Sequence, residues 1–307
     1  MGSRVDSSGN AVFTADTSTV AKDYVRGELD RSIIEAFRRE HYPDQPLAYL
    51  GLPGPDLLDV RAWREFIGRW TAVQSADTPE LRQSAEMLEL NALRERLERG
   101  FHLVLGNIDE YLARDDLRPA LQFPYEVVNL DYVGGLVNAR DHGTGSLRLD
   151  AIRALFTHQN RHAFVLLLTV NLRDRDEGEL EDHAARLEDE MRSLDAFRNV
   201  AEVFESHREQ GNAGLLKLYV PCVLDGFALA TGYELRFAPP VLYSGSRQMM
   251  HFVVECLPHT EQIGTRLPRF EDRLAIVNAS LLIRDSNRTS LAQHDFGQLI
   301  RTGAEAG

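Results

Sequence analysis

The chain has 307 residues, a formal charge of −13, 43% apolar and 26% charged residues. That is enough for one large α/β domain or one domain plus an appendage, at ordinary soluble composition. The acidic balance argues against a bare nucleic-acid-binding domain, which takes most of its affinity from basic groups on phosphate. No run of apolar residues is long enough for a membrane helix, and Met1 to Asn10 is polar rather than signal-like, so a cytoplasmic protein without membrane contact is expected. Lys22 and Lys217 are the only lysines, and the remaining basic residues are arginines. Cys222 and Cys256 both stand in apolar runs and read as buried thiols.

Residues 1–17 form a leader rich in Ser, Gly, Asp and Thr, expected to be disordered. Val20 to Glu40 follows as an amphipathic helix, with Val20, Tyr24, Ile33, Ile34 and Phe37 at helical spacing, ended by Pro43 and Pro46. Residues 18–45 then make an N-terminal helical element that could fold over a ligand as a lid or simply pack. Leu47 to Leu52 is a first strand, closed by a Gly/Pro turn and a helix from about Pro55 to Gly68. Trp70 to Gln74 is a second strand, Pro79 to Arg99 a long charged helix, and Phe101 to Leu105 a third strand.

Tyr125 to Leu130 is apolar and β-branched enough for a strand buried on both faces. Asn129, Asp131 and Tyr132 arrive where it runs out, before Gly134 and Gly135. At the carboxyl end of a central parallel strand, such residues face the ligand crevice. A helix through Leu147 to Gln159 and a fifth buried strand, Ala163 to Val170, come next. Glu177 to Arg208 is an acidic helical stretch with a solvated face, and Leu215 to Leu229 an apolar helix. Tyr233 to Leu242 and Met249 to Leu257 look like a strand pair, and Leu274 to Ile283 fits strand or helix. Strands alternating with helices, joined by connections too long for hairpins, predict a doubly wound α/β fold with a mostly parallel sheet and an antiparallel strand at one edge.

This order resembles the class I S-adenosylmethionine-dependent methyltransferases, a Rossmann-like family with a seven-stranded sheet. Leu50-Gly51-Leu52-Pro53-Gly54 stands where that family has its glycine-rich first turn. Gln74 ends the second strand, Gly106-Asn107-Ile108-Asp109 follows the third, and Asn129-Leu130-Asp131-Tyr132 resembles the family's motif after the fourth. The resemblance spans residues 20–258 and gives a methyltransferase domain at 46–258 with a C-terminal extension at 259–307.

It implies S-adenosylmethionine as cofactor, with Gly51, Leu52 and Gly54 under the methionine end, Gln74 at the ribose, and Asn107, Ile108 and Asp109 at the adenine. Asn129, Asp131 and Tyr132 would orient an acceptor, an amine nitrogen of a nucleobase or a small molecule. A nucleic-acid acceptor would need a basic partner subunit, and a homo-oligomer is allowed. Two positions depart from the pattern: Gln74 replaces a carboxylate that accepts both ribose hydroxyls, and Pro53 removes a backbone donor. These departures keep open a catalytically inactive member acting as a binding or scaffold subunit. The glycines also suit any tight strand-to-helix turn, and Asp109 or Asn107 also suits a helix N-cap.

Other patterns carry less. His158 and His162 have the spacing of a two-histidine metal clip but no third ligand nearby, so no metal is expected. Asp141 to Ser146 is a Gly/Ser loop that lacks the lysine of a phosphate loop, and Tyr243 to Ser246 is not a nucleophile elbow. The Asn278 and Asn287 glycosylation patterns have no meaning in a cytoplasmic chain.

Overall fold

The computed structural model describes residues 20–97, 100–132, 136, 147–172, 185, 188, 189, 192, 201–244, 248–259 and 281–283. Their centre is a nine-stranded sheet: β1 (Leu47–Gly51), β2 (Ile67–Gln74), β3 (Phe101–Leu105), β4 (Val127–Asp131), β5 (Phe164–Asn171), β6 (Tyr233–Phe237), β7 (Val241–Ser244), β8 (Gln248–Pro258) and β9 (Leu281–Ile283). The order is β3-β2-β1-β4-β5-β8-β7-β9, with β6 also on β8. The β1 to β5 segment is parallel throughout, and β8 runs antiparallel between β5 and the β6 and β7 strands.

The strands β6 and β7 share one position in the sheet. The first lies along Pro258 to Val254 of β8 and the second along His251 to Gln248. Ala238-Pro239-Pro240 separates them, because proline has no N–H to give a ladder. Counted this way the sheet has the seven positions read from the sequence, and β9 adds an eighth beside β7. Two details differ from expectation. The antiparallel strand β8 lies inside the edge, and the segment set apart as a C-terminal extension contributes an edge strand of its own.

Helices cover both faces. On one face lie α1 (Val20–Tyr24), a π-helical turn (Val25–Asp30), α2 (Arg31–His41), α3 (Leu58–Trp63) and α4 (Pro79–Arg94). Ile33, Ile34 and Phe37 of α2 are buried with Tyr49, Trp63, Trp70, Val127 and Val165, so this helix is a layer of the domain rather than a loose cover. The other face carries α5 (Ile108–Ala113), α6 (Leu147–His158), α7 (Ala201–Arg208) and α8 (Gly211–Thr231). Helix α8 is long and apolar enough to cross a membrane by length and composition, yet it is buried along most of its length inside the domain. Strand β5 is buried at every position, as a central strand covered on both faces must be.

The helix expected from Pro55 is shorter. Leu57 adopts a left-handed conformation, φ 51°, and bonds back to Gly54, so regular helix begins only at Leu58 and ends at Trp63. Helix α4 begins as expected, with Thr78 accepting from the Leu81 N–H and Pro79 at the first helical position, and closes at Arg94. Cys222 and Cys256 are buried free thiols; burial pushes the Cys222 thiol up to about 12.

Gln159, fully buried just past α6, fixes the entrance of β4. Its Oε1 accepts from the Tyr125 N–H at 2.9 Å and its Nε2 donates to the Tyr125 carbonyl at 2.6 Å. Replacing it with Ala strands a backbone donor and an acceptor away from water, each worth about 1–3 kcal/mol. Urea unfolding of Gln159→Ala is therefore predicted to show a loss of about 2–4 kcal/mol; a loss below about 1 kcal/mol would mean that water replaces the amide.

Candidate functional site at the sheet switch point

The order of strand addition reverses between β1 and β4, and in open α/β sheets ligands bind outside the carboxyl ends of the strands at that reversal. The registers decide what gathers there. Gly51 pairs with Ala72 and Asn129, Gln74 with Leu105, Asp131 with Thr169, and Thr169 with His251. Because paired residues share a face, Leu105, Gln74, Gly51, Asn129, Asp131, Thr169 and His251 form a row on the α1–α4 side.

Charged groups of the helical arm close over this row. Asp59, in the first turn of α3, takes Arg26 Nε at 2.5 Å, the Tyr49 hydroxyl at 3.2 Å and Asn129 Nδ2 at 2.8 Å. Lys22 Nζ lies 2.6 Å from Asp131 Oδ2, with both side chains about a quarter exposed. Asp30 Oδ1 lies 2.8 Å from His251 Nε2. Lys22, Val25, Arg26, Asp30, Asp59, Asn129, Asp131, Thr169, Tyr243 and His251 surround a polar cavity of about 20 Å³, room for a water molecule. Burial raises the Asp30 carboxyl, which the nearby His251 opposes, and burial with the Asp59 charge holds the Tyr49 hydroxyl well above its usual range.

The sequence-derived site residues divide between the two faces. Gly51, Gln74, Asn129 and Asp131 are on the row, with Leu52 and Gly54 in the turn directly after β1. Leu52 N–H continues the ladder to the Asn129 carbonyl. Gly51 has no room for a side chain: a Cβ would collide with the Tyr49 hydroxyl and stand 2.9 Å from the Asn129 carbonyl oxygen. Its glycine is thus demanded by the protein's own packing. Gln74 donates weakly to the Ser75 carbonyl at 3.5 Å.

Tyr132 and Asp109 belong to the opposite face. Strand alternation sends Tyr132 away from Asp131, and its hydroxyl donates to Asp109 Oδ1 at 2.6 Å. Arg148 completes that cluster, 3.3 Å from Asp109 Oδ2 and stacked 3.9 Å above the Tyr132 ring. Asn107 is the N-cap of α5, its side chain accepting from the Asp109 N–H, and Ile108 is buried in the core. The helix start near Pro55 offers no anion-binding end, since α3 is six residues long and its first-turn carboxylate is already engaged.

Sequence reasoning missed six contributors: Arg26, Asp30, Asp59, Thr169, Tyr243 and His251. A buried Asp in a helix and a His inside an apolar strand are signals only once strand registers are known. Leu105 was also unremarked; it is 53% exposed beside Gln74, an apolar surface at the carboxyl edge. His158, by contrast, sits 3.0 Å from the Leu112 carbonyl, as a core histidine would. Among the described residues no group of His, Cys, Asp and Glu could hold a metal. The 141–146 loop, both glycosylation patterns and most of 177–200 lie outside the described residues.

A parallel β3-β2-β1-β4-β5 core followed by an inserted antiparallel strand decides the architecture. The fold is a Rossmann-like, doubly wound α/β sheet. Among solved structures the chain is similar to the mitomycin 7-O-methyltransferase MmcR, at 13% identity and TM-score 0.35, covering 74% of this chain and 53% of that one, about half its length. It is also similar to magnesium protoporphyrin IX methyltransferase from Synechocystis with bound SAH (10% identity, TM-score 0.36, 80% and 91% covered). A third is spermidine synthase from Thermotoga maritima (10% identity, TM-score 0.40, 90% and 75% covered). No family model and no curated protein matches the chain.

Within this frame the Arg26–Asp59 pair is the buried clamp of the site, its side chains 8% and 9% exposed. Asp59→Ala would remove the acceptor shared by Arg26 Nε, the Tyr49 hydroxyl and Asn129 Nδ2 while leaving Arg26 its contact to Asp23 at 3.2 Å, and unfolding measurements are predicted to register a loss of about 3–5 kcal/mol. A neutral outcome would mean that water reaches Arg26 freely.

Proposed function

We propose that this chain is an S-adenosylmethionine-dependent methyltransferase acting on an amine nitrogen. The observation that carries the reading is the polar row at the switch point, where the Gly51 turn, Gln74, Asn129 and Asp131 share one edge and one face. The residues suit the cofactor unevenly. The Gly51 to Gly54 turn lets backbone approach the methionine end, and the Gln74 carboxamide oxygen can accept from one ribose hydroxyl. At the adenine end Asp109 is turned away, so the exposed Leu105 would supply an apolar wall in its place. When bound, the cofactor supplies an electrophilic methyl group on a sulfonium.

The chain's own residues then orient the acceptor. Asp131 already holds an ammonium, that of Lys22, at 2.6 Å. An acceptor amine would take the same carboxylate, with the Lys22 contact opening to admit it, since the cavity beneath has room only for a water. Asn129 stays fixed by Asp59 and holds the strand end in place. Proximity and alignment supply most of the acceleration in such a transfer. The acidic chain favours a small amine over a nucleic acid, unless a basic subunit joins it.

A second reading, a non-catalytic scaffold of the same fold, is favoured by one specific feature: Asn129, Asp131 and Asp109 are all engaged by partners within the chain. Calorimetry with S-adenosylmethionine and with its demethylated product, followed by methyl transfer to a panel of small amines, separates the two. The enzyme reading predicts product binding, turnover, and a loss of about 10²-fold in kcat for Asp131→Ala. No heat at millimolar ligand selects the scaffold, and full turnover in Asp131→Ala removes Asp131 from the transfer point.

A further inference from the structure

His251 is 3% exposed, and both of its ring nitrogens are engaged. Nε2 lies 2.8 Å from Asp30 Oδ1 in the π-helical turn, and Nδ1 lies 2.8 Å from Thr169 Oγ1 on β5. Thr169, itself 3% exposed, stands opposite Asp131 in the β4–β5 register. Asp30, Thr169 and His251 line the cavity that contains Asn129 and Asp131.

Donor arithmetic gives this chain a direction. A neutral imidazole has one N–H and one lone pair, and an ionised carboxylate only accepts. Nε2 therefore carries the proton toward Asp30, and Nδ1 accepts from the Thr169 hydroxyl. The Thr169 oxygen is left to accept from the cavity that it lines. We infer that Thr169 and His251 form a proton relay that takes a proton from a group bound beside Asp131, with Asp30 positioning the imidazole. The relay deepens the methyl-transfer reading and rests on it for its purpose.

The step balances. An acceptor ammonium gives its proton to the Thr169 oxygen as the Thr169 proton passes to His251 Nδ1. The acceptor nitrogen keeps the lone pair that forms the new N–C bond, while the electrons of the broken S–C bond remain on sulfur. The imidazolium so formed faces Asp30, the logic by which a carboxylate supports the histidine of a hydrolase triad. Around the cavity His251 is faced by Lys22 of α1, Arg26 and Asp30 of the π-helical turn, Asp59 of α3, Asp131 of β4 and Tyr243 of β7.

Nitrogen-15 NMR of histidine-labelled full-length protein reads the geometry without any acceptor. The relay predicts the Nε2–H tautomer for His251; an Nδ1–H tautomer overturns it, because Thr169 would then receive the proton from the wrong side. Kinetics on an amine turned over by the wild type reads the role. Thr169→Val is predicted to lower kcat about 10²-fold with KM within about twofold, and Thr169→Ser to restore it. His251→Gln is predicted to flatten the acid limb of the kcat profile. Unchanged kcat in a folded Thr169→Val protein, checked by its thermal midpoint, overturns the relay and makes the chain a structural tie. An Nε2–H tautomer with no methyl transfer to any amine retires the methyl-transfer reading instead, and with it the purpose assigned to the relay.

Discussion

The register of Gly51 against Asn129 is the constraint on which the rest depends. A slip of one residue in β4 would turn Asn129 and Asp131 to the opposite face and expose their apolar neighbours to the polar cavity. The register is secured at one end by Gln159, which grips the Tyr125 backbone, and at the other by Leu52 bonding to Asn129. Between them the β-branched Val127 and Val128 are fully buried. A central strand held this firmly can afford polar groups at its last positions.

Those groups then dictate the helical arm. Asp59, Asn129 and Asp131 cannot be covered by apolar side chains without losing their hydrogen bonds, so the element that covers them must bring charge. Lys22, Arg26 and Asp30 do so from α1 and the π-helical turn. The wider π turn falls where Arg26 and Asp30 both point inward and are buried, consistent with the frequent placing of such turns at functional sites. The opposite face solves the same problem separately, with Asp109, Tyr132 and Arg148 satisfying one another.

Much of the architecture was legible in the sequence because its signals are local. The buried runs of β4 and β5, the start of α4 at Pro79 and the alternation of strand and helix follow from composition and spacing. The two faces of the site were not legible. Asn129, Asp131 and Tyr132 are neighbours in sequence, yet strand alternation separates Tyr132 from the other two, and Asp109 goes with it. His251 and Thr169 lie 82 positions apart and meet only through the β5–β8 register. Nothing in a single sequence states which antiparallel partner β5 takes. Gly51 also illustrates a motif with two explanations, since its own Tyr49 requires the glycine before any ligand does.

A crystal structure with S-adenosylhomocysteine is the most direct test of the switch point as the ligand site. The account predicts the ligand against the Gly51 to Gly54 turn, its ribose at Gln74 and its sulfur directed toward Asp131. A ligand bound elsewhere on the molecule, or none at saturating concentration with the Lys22–Asp131 contact intact, would contradict it.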